Sequence, residues 1–271
     1  MRSWKLAVST ADRAPASAPI LLHGTISDNL VQAGKLGYQA IEVHTRETEE
    51  FDYQAIKEAE KKSGVKVCMV ITGRLNTEGK CSLTDDRPYV THAAMQGMKQ
   101  YIDMASKLGA DIVIGWVRGQ IPENGNRESY LKRLARNLKI LSEYGTSRHV
   151  KLNIEVINRY ETNIFTTAQE TVDFLETYKL DNCYVHLDTF HMGIDERDFK
   201  KAIYACKDRL GYVHIADNSR CYPGSGYIDF KEILDTLEEI GYKGYLSVEC
   251  LPYPDRISAA KEAADYLKRI I

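Results

Sequence analysis

The sequence predicts an α/β fold, a TIM-type barrel of eight parallel strands that alternate with eight helices. Short apolar runs typical of buried strands alternate with amphipathic segments of helical period along the whole chain. The 271 residues fit such a barrel as one domain, and no linker or low-complexity segment divides them. An open nucleotide-binding sheet is less favoured, because ADRAPASAP after the first strand is not a glycine-rich fingerprint. We therefore expect one domain over residues 1–271.

The first half of the chain contains four predicted strands, KLAVST, YQAIEVHT, VKVCMVIT and ADIVIGWV. We expect a helix to begin near Ser27, with Ser27 and Asp28 as its N-cap. FDYQAIKEAEKKSG and a long segment from about Pro88 are predicted helices, closed by Gly64 and Gly109 as left-handed C-caps. A loop rich in Gly, Asn and Asp should follow VKVCMVIT, and ESYLKRLARNLKILSEYG is the helix after the fourth strand.

The second half of the chain repeats the pattern. The predicted strands are VKLNIEVIN, CYVHLDTF, YVHIADN and YLSVEC. Helices are expected over residues 167–178, 198–210 and 229–240, and from about residue 256 to the end. In both halves, KLGYQAIEV and EIGYKGYLSV show a glycine that ends a helix and a short turn into the next strand. This repetition favours similar units around a closed barrel.

Composition argues against several classes of protein. The formal charge of −2 and the pI near 6.4 do not suit nucleic acid or an anionic membrane as a partner. No apolar run approaches the roughly 18 residues of a membrane span, and MRSWKLAVSTADR lacks the apolar segment of a signal peptide. The six cysteines match no zinc-finger or disulfide framework. We expect a cytoplasmic protein that binds neither nucleic acid nor membrane.

Four polar residues lie near the carboxyl ends of the last four predicted strands, where TIM-type barrels carry their active sites. Glu155 and His214 each lie between two aliphatic residues, and Asp188 and Glu249 each follow one. Since side chains alternate along a strand, aliphatic neighbours that face the helices leave these four facing the barrel interior. Their spacings of 33, 26 and 35 residues each correspond to one strand–helix unit. We expect the four side chains to form one cluster.

Three carboxylates and one imidazole in a cluster predict a metal centre. Carboxylates so close repel one another, and burial would force protons onto some of them. A divalent cation removes that repulsion, and three oxygen ligands with one nitrogen suit Mn²⁺, Mg²⁺ or Co²⁺. One such acid alone would more often be a helix cap or an ion-pair partner. Four in register on successive strands favour a single divalent ion held by Glu155, Asp188, His214 and Glu249.

Glu161, His191 and Arg220 lie just beyond strands that carry these ligands. Each could reach an oxyanion or hydroxyl group of a bound substrate, although a solvated loop charge is an equal alternative on spacing alone. The segment RCYPGSGYIDF should form a tight turn that holds Arg220 at the mouth of the barrel. His186 lies deeper on its strand, and we interpret it as a hydrogen-bonded core histidine.

The segments NIEVINRYET, HLDTFHMGI, HIADNSRCYPGSGYIDF and LSVECLP resemble the sugar isomerase/epimerase family that includes D-tagatose 3-epimerase. They are more similar still to the keto-gluconate epimerases of inositol breakdown. The resemblance implies a xylose isomerase-like TIM barrel, one divalent ion, most often Mn²⁺, and a homo-oligomer, either a dimer or a tetramer. It also implies that Glu155 and Glu249 form the acid/base pair. Glu161, His191 and Arg220 would bind substrate oxygens.

Two opposed glutamates at one metal ion predict an isomerase of the epimerase type. A metal at a ketone and its neighbouring hydroxyl acts as a Lewis acid and stabilises an enediolate. One glutamate would remove the proton beside the carbonyl, and the other would return it on the opposite face.

The expected substrate is a ketose such as D-tagatose or D-fructose, or a keto-sugar acid such as 5-keto-gluconate or tagaturonate. Arg118, after the fourth strand, is a candidate to bind a substrate carboxylate. The alternative for Arg118 is an ion pair to the acidic loop 123–128.

Other functions stay open on sequence alone. An inosose dehydratase, or a ketose–aldose isomerase similar to hydroxypyruvate isomerase, would use similar metal ligands. A zinc-dependent endonuclease of the same barrel superfamily would need more histidines and acids, particularly on the second and third strands, and VKVCMVIT offers none. A non-catalytic sugar-binding protein would have little use for a pair of opposed acids.

Overall fold

The computed structural model describes residues 4–48 and 51–271. The strands in these ranges are β1 (Lys5–Ala11), β2 (Leu22–His23), β3 (Ala40–His44), β4 (Lys66–Ile71), β5 (Asp111–Ile114), β6 (Leu152–Glu155), β7 (Cys183–Asp188), β8 (Leu210–Ile215) and β9 (Tyr245–Val248). All except β2 are parallel neighbours around a barrel, and the pairing of β1 with β9 closes it. The predicted barrel of eight parallel strands is confirmed. The short strand β2 beside the end of β1 is an addition to the prediction.

Helices follow the strands around the barrel: α1 (Ile26–Leu36), α2 (Tyr53–Ser63), α3 (Gly73–Thr77), α4 (Pro88–Leu108), α5 (Arg127–Thr146), α6 (Ala168–Thr177), α7 (Thr189–Asp195), α8 (Phe199–Ala205), α9 (Phe230–Glu239) and α10 (Arg256–Ile270). Gly64 and Gly109 are the left-handed C-caps that the sequence predicts. Many N-termini are capped by a side chain that accepts a first-turn N–H, among them Asp52, Asn126, Thr167, Asp198, Asp229 and Asp255.

Some element bounds differ from the sequence-based expectation. The N-cap of α1 is Thr25, because its hydroxyl accepts the backbone N–H of Asp28, and Ser27 lies inside the helix. The loop after β4 contains the short helix α3. Helix α8 ends at Ala205, and the chain from Leu210 onward already belongs to β8. These differences change the ends of elements and leave their order intact.

Strands β5 and β7 are shorter than predicted because the backbone turns where each reaches the barrel mouth. After Ile114 the chain bends at Gly115 into a 3₁₀ turn over Trp116–Arg118. Strand β7 ends at Asp188, whose Oδ1 accepts the backbone N–H groups of the next helix, α7. Both turns place the following residues at the rim of the mouth.

The barrel interior below the mouth is filled by a small cluster, Ala7, Ala40, Cys68, Met69, Ile71, Val113 and Tyr212. The hydroxyl of Tyr212 on β8 lies 2.9 Å from Glu42 on β3 and 3.5 Å from Cys68 on β4, so its side chain crosses the interior. The larger apolar core lies between the strands and the helices. Within the described part of the chain, none of the helices combines the length and apolarity that crossing a bilayer requires.

Candidate metal centre and active site

The four predicted metal ligands come together at the barrel mouth. Glu155 and Asp188 end β6 and β7, and His214 lies in β8 as the register partner of Asp188. Glu249 directly follows β9. All four residues are buried, and one candidate ligand atom from each lies within 4.8 Å of the others. The predicted set therefore forms one compact cluster.

The donor atoms of this cluster surround a space without hydrogen bonding to one another. Nδ1 of His214 lies 3.9 Å from Oε1 of Glu155 and 3.7 Å from Oδ2 of Asp188. It lies 3.6 Å from Oε2 of Glu249, and all three distances exceed a hydrogen bond. His214 Nδ1 and Asp188 Oδ2 are buried without any hydrogen-bond partner, which is unfavourable. A divalent cation between these atoms would satisfy both, so the donor set fits the predicted metal.

Charge in the cluster is also unbalanced. Burial raises the pKa of Glu155 to about 8, and the Glu249 carboxylate adds to the rise. Burial would raise the pKa of Asp188 too, but His191 and His214 hold that pKa below its usual range. For His214, burial opposes the charged imidazolium, yet the surrounding carboxylates raise its pKa well above the ordinary value. Such a concentration of acids in a buried space is the setting in which a bound cation is favourable.

Glu42 on β3 is a site residue that the sequence reasoning missed. It is fully buried, and its Oε2 accepts hydrogen bonds from His214 Nε2 at 2.9 Å, Tyr212 at 2.9 Å and Ser247 at 2.7 Å. In the neutral ring that a metal requires, Nε2 of His214 donates to this carboxylate and Nδ1 is the acceptor that faces the cluster. Glu42 also lies between two aliphatic residues near a strand end. The pattern that identified the predicted ligands could therefore have found it.

A second group of possible ligands, Glu42, His44 and Glu249, adjoins the cluster. Nε2 of His44 lies 3.2 Å from Oε1 of Glu42 and 3.7 Å from Oε1 of Glu249. Both oxygens of Glu42 already have hydrogen-bond partners. We therefore interpret this group as a hydrogen-bonded network that supports the cluster.

His191 lies in the first turn of α7, and its side chain is almost fully buried. Asn158 Nδ2 lies 2.7 Å from Nδ1 of His191 and donates to Oε1 of Glu161 at 3.0 Å. With Asn158 as the donor, the imidazole proton of His191 is assigned to Nε2. That nitrogen lies 4.0 Å from both Glu155 Oε1 and Asp188 Oδ2. His191 can thus donate to an oxygen of a molecule bound beside the cluster.

Arg220 closes one side of the mouth. Its Nη2 donates to Oε2 of Glu249 at 3.0 Å, and Nη1 lies 3.7 Å from Oε1 of Glu161. The loop that carries it is held by Asp217, whose buried carboxylate accepts four backbone N–H groups between residues 218 and 228. Arg220, Glu161 and His191 therefore lie together, as the sequence-based expectation requires.

Arg118 occupies a different position from the one expected. Its side chain is only 1% exposed, and Nη1 donates to the backbone carbonyl of Glu155. The guanidinium lies 5.8 Å from the ring centroid of Phe165, and burial lowers the pKa of Arg118 to about 10. Arg118 does not line the cavity at the mouth. Among the described residues it also makes no ion pair with the loop 123–128, so the structure supports neither expectation for Arg118.

His186 is a core residue, as interpreted from the sequence, but it is not hydrogen bonded. It is fully buried, and neither ring nitrogen has a partner. Its ring packs edge-on against that of His214, with the centroids 4.1 Å apart. Burial, together with the neighbouring His214, holds the pKa of His186 well below its usual value. The neutral ring of His186 therefore fills the space beneath the cluster and packs against His214.

A cavity of about 460 Å³ leads from solvent to the cluster. Its walls include Glu155, Glu249 and Arg220 together with Trp116 and the loop at residues 13–20. Gly115 also belongs to this wall, and a Cβ there would lie 2.7 Å from Oε2 of Glu155. The missing side chain therefore lets the carboxylate approach β5. The mixture of acids, donors and one large aromatic suits a small molecule rich in hydroxyl groups.

Comparison with known proteins agrees with this architecture. Residues 30–270 match the family described as xylose isomerase-like TIM barrel. The chain belongs to this family. Solved structures with the same fold include an L-ribulose 3-epimerase, with a TM-score of 0.85, 24% identity and coverage of 98% of this chain and 94% of that chain. A 3-keto-D-glucoside 4-epimerase from E. coli gives a TM-score of 0.81 at 21% identity, covering 98% of this chain and all of that chain.

Proteins similar in sequence to this chain include several sugar epimerases. An L-ribulose 3-epimerase of Methylomonas sp. (strain DH-1) is 29% identical over 220 residues, 80% of this chain and 75% of its own length. A D-psicose 3-epimerase of Enterocloster bolteae is 32% identical over 65% of this chain and 59% of its own length. A 3-dehydro-D-guloside 4-epimerase of Escherichia coli is 30% identical over half of each chain. The predicted resemblance to sugar epimerases is confirmed.

Proposed function

We propose that this xylose isomerase-like barrel is a metal-dependent sugar epimerase that inverts the carbon next to a ketone. The observation that carries the proposal is the buried cluster of Glu155, Asp188, His214 and Glu249, with two unpartnered donor atoms aimed into its centre. The relatives support the isomerase class. The ketose 3-epimerases and the 4-epimerase of a 3-dehydro-sugar share one kind of chemistry, inversion beside a carbonyl group.

The proposed ligands of one divalent ion are the four residues of the cluster, with Mn²⁺ as the first candidate and Mg²⁺ or Co²⁺ as alternatives. When bound, this ion supplies the positive charge that stabilises the enediolate oxygens of the substrate. Glu42 accepts a hydrogen bond from Nε2 of His214, and this bond orients the neutral imidazole so that the lone pair on Nδ1 points at the cluster. The chain thereby orients the ligand before any ion or substrate is present.

Glu155 and Glu249 are the proposed acid/base pair. Glu155 ends β6 and Glu249 follows β9, so two strands separate them around the mouth. A substrate that lies between them presents opposite faces of one carbon to the two carboxyl groups. One glutamate removes the proton next to the ketone, and the other delivers a proton to the opposite face. The configuration at that carbon is inverted, and in the reverse reaction the two glutamates exchange roles.

The proposed substrate contacts come from His191, Arg220 and Glu161. Nε2 of His191 and the guanidinium of Arg220 are donors for substrate oxygens, and Glu161 is an acceptor for a hydroxyl. A keto-sugar acid would need a cation for its carboxylate, and Arg118 is buried away from the cavity. The arginines that do line the cavity already have acidic partners: Arg220 pairs with Glu249, and both Arg13 and Arg74 pair with Asp12. We therefore propose an uncharged ketose or keto-sugar as the substrate.

A panel of ketoses and keto-sugar acids, incubated with Mn²⁺ and the protein in deuterated water, tests this function. An epimerase incorporates one deuterium beside the carbonyl, forms the epimer and loses no water. A dehydratase would lower the mass of the product by one water, and a ketose–aldose isomerase would yield an aldehyde. Either of those products, or no deuterium uptake from any sugar of the panel, contradicts the proposal.

A further inference from the structure

A second cavity, of about 760 Å³, opens beside the candidate active site. We call it the side cavity, and it lies between the segments 76–87 and 116–122, with Tyr130 and residues 161–162 completing the wall. The side cavity shares Trp116 and Glu161 with the cavity that leads to the metal cluster. One molecule could therefore extend from the cluster past these two residues into the side cavity.

Trp116 marks the border between the two cavities. Its side chain is 41% exposed, although it follows a buried barrel strand. An indole ring offers a flat apolar surface for the C–H face of a sugar ring, whose hydroxyl groups then point to polar neighbours. A solvent-exposed indole between two polar cavities can therefore stack against a sugar ring.

The charged side chains of the side cavity already have partners within the protein. Arg87 pairs with Asp85, with Nε 2.8 Å from Oδ1. Asp86 accepts hydrogen bonds from Tyr130 and from Arg133. Glu161, the other charged residue described in this wall, lies 3.7 Å from Nη1 of Arg220. The wall therefore offers no unpaired cation to select a phosphate or a carboxylate. The uncharged polar groups of the wall, such as the Ser82 hydroxyl and the side-chain carbonyl of Gln120, suit hydroxyl groups.

The two cavities together are larger than one monosaccharide needs. The cavity at the cluster, about 460 Å³, already lies within the usual range for a small-molecule site, roughly 300–1,000 Å³. A single ketose bound at the cluster would leave the side cavity filled only with water. We propose that the preferred substrate is a keto-glycoside, whose oxidised ring lies at the cluster while its second sugar unit occupies the side cavity against Trp116. This inference rests on the proposed epimerase function and names its class of substrate.

Two 3-keto-hexosides that differ only in their substituent, a methyl group or a glucosyl unit, test the inference. Wild-type protein with Mn²⁺ should exchange deuterium into the glucosyl compound with a kcat/KM at least about tenfold higher, because only its second sugar ring contacts the side cavity; a factor of ten corresponds to about 1.4 kcal/mol. Equal values of kcat/KM for the two compounds would overturn the inference and leave the epimerase function standing.

The variant Pro122→Phe narrows the side cavity. Pro122 lines only this cavity, and its backbone carbonyl accepts the N–H of Gly125, a bond that the substitution can retain. Pro122→Phe should lower kcat/KM for the glucosyl compound about tenfold and leave the methyl compound unchanged. Pro122→Ala is the matched control, since it removes the proline without adding bulk. Equal losses for both compounds, or no loss for either, would contradict the inference.

A binding experiment keeps the inference testable if no keto-sugar is turned over. Trp116 is one of two tryptophans in the chain, and the other, Trp4, hydrogen-bonds Tyr242 far from both cavities. Titration with an unoxidised disaccharide should change the tryptophan fluorescence of the wild type and of Pro122→Ala, but not that of Pro122→Phe. Absence of deuterium exchange with every keto-sugar would count against the epimerase function. An unchanged fluorescence would count against the side cavity as a sugar site.

Discussion

The two halves of the barrel contribute different chemistry to the same mouth. The four ionisable residues of the cluster lie at or next to the carboxyl ends of β6 to β9, one for each strand. The first half contributes mainly shape, through Gly115, Trp116 and the loop 13–20. The reacting groups thus come from residues 155–249, and the walls that meet the rest of a substrate come largely from residues 13–120.

Glu42 is the exception to this division. It belongs to β3 in the first half, yet it holds His214 and Ser247 on β8 and β9. Its carboxylate is fully buried and satisfied by hydrogen bonds. The first half therefore acts on the chemistry indirectly, by orienting ligands and by setting the space around them. Substitutions in the second half should therefore remove reacting groups, whereas substitutions in the first half should weaken metal binding or displace those groups.

The largest effects are expected from the proposed acid/base pair. Glu249→Gln and Glu155→Gln should each lower kcat for deuterium exchange about 10³-fold, because general acid–base groups contribute about 10²–10⁴. The control is Glu128→Gln, which removes an exposed acid that pairs with Lys132 and lines neither cavity. Exchange within threefold of wild type in either mouth variant would contradict the assignment.

An intermediate effect is expected from Glu42. Glu42→Gln should weaken Mn²⁺ binding by about 10–100-fold, since loss of the residue that hydrogen-bonds a metal-ligating histidine typically lowers metal affinity by this factor. Titration calorimetry measures the affinity without any substrate. Tyr212→Phe removes one of the hydrogen bonds to Glu42 and should weaken binding less. Unchanged Mn²⁺ affinity in Glu42→Gln would show that the first half does not act on the metal centre.

A smaller effect is expected from Gly115, which acts through space alone. The Cβ of Gly115→Ala would meet Oε2 of Glu155 at 2.7 Å, which is too close for van der Waals contact, so the carboxylate must move away. We expect kcat to fall about tenfold, since displaced catalytic groups lose orientation, while the thermal midpoint changes little. If KM rose while kcat stayed constant, Gly115 would contribute to substrate binding instead.

Arg118 should affect all substrates equally. It touches the backbone of Glu155 and lies outside the cavity, so Arg118→Ala should lower turnover of a ketose and of a keto-hexonate by the same factor. Parallel assays of D-tagatose and a keto-gluconate measure this ratio. A selective loss for the keto-acid would instead restore the carboxylate-binding role that the sequence suggested. Stability should fall as well, since the substitution leaves a cavity beside Phe165.

The sequence predicts the cluster well because alternation along a strand is a local rule. Glu155 and His214 face the mouth since their aliphatic neighbours must face the helices. The same rule applies to Glu42, but its role depends on a contact with His214 across the barrel, which no local pattern encodes.

The position of Arg118 could not be predicted, because the bend at Gly115 ends the strand three residues before it. Beyond this bend the strand rule no longer tells which way a side chain points. The short helices α3 and α7 escaped prediction for a similar reason. Both are too short to show an apolar period of helical spacing. The start of α7 is instead fixed by Asp188, whose side chain caps its first backbone N–H groups.

Metal dependence of solvent exchange tests the central claim most directly. Protein freed of metal with a chelator is assayed for deuterium uptake into a ketose or keto-glycoside, then again after Mn²⁺ is restored. We predict that exchange stops on chelation and returns with Mn²⁺. We also predict that Mn²⁺ at 100 times its Kd stabilises the fold by about 2.7 kcal/mol. Exchange that continues in the chelated protein, or that stays absent after Mn²⁺ is restored, would contradict the account.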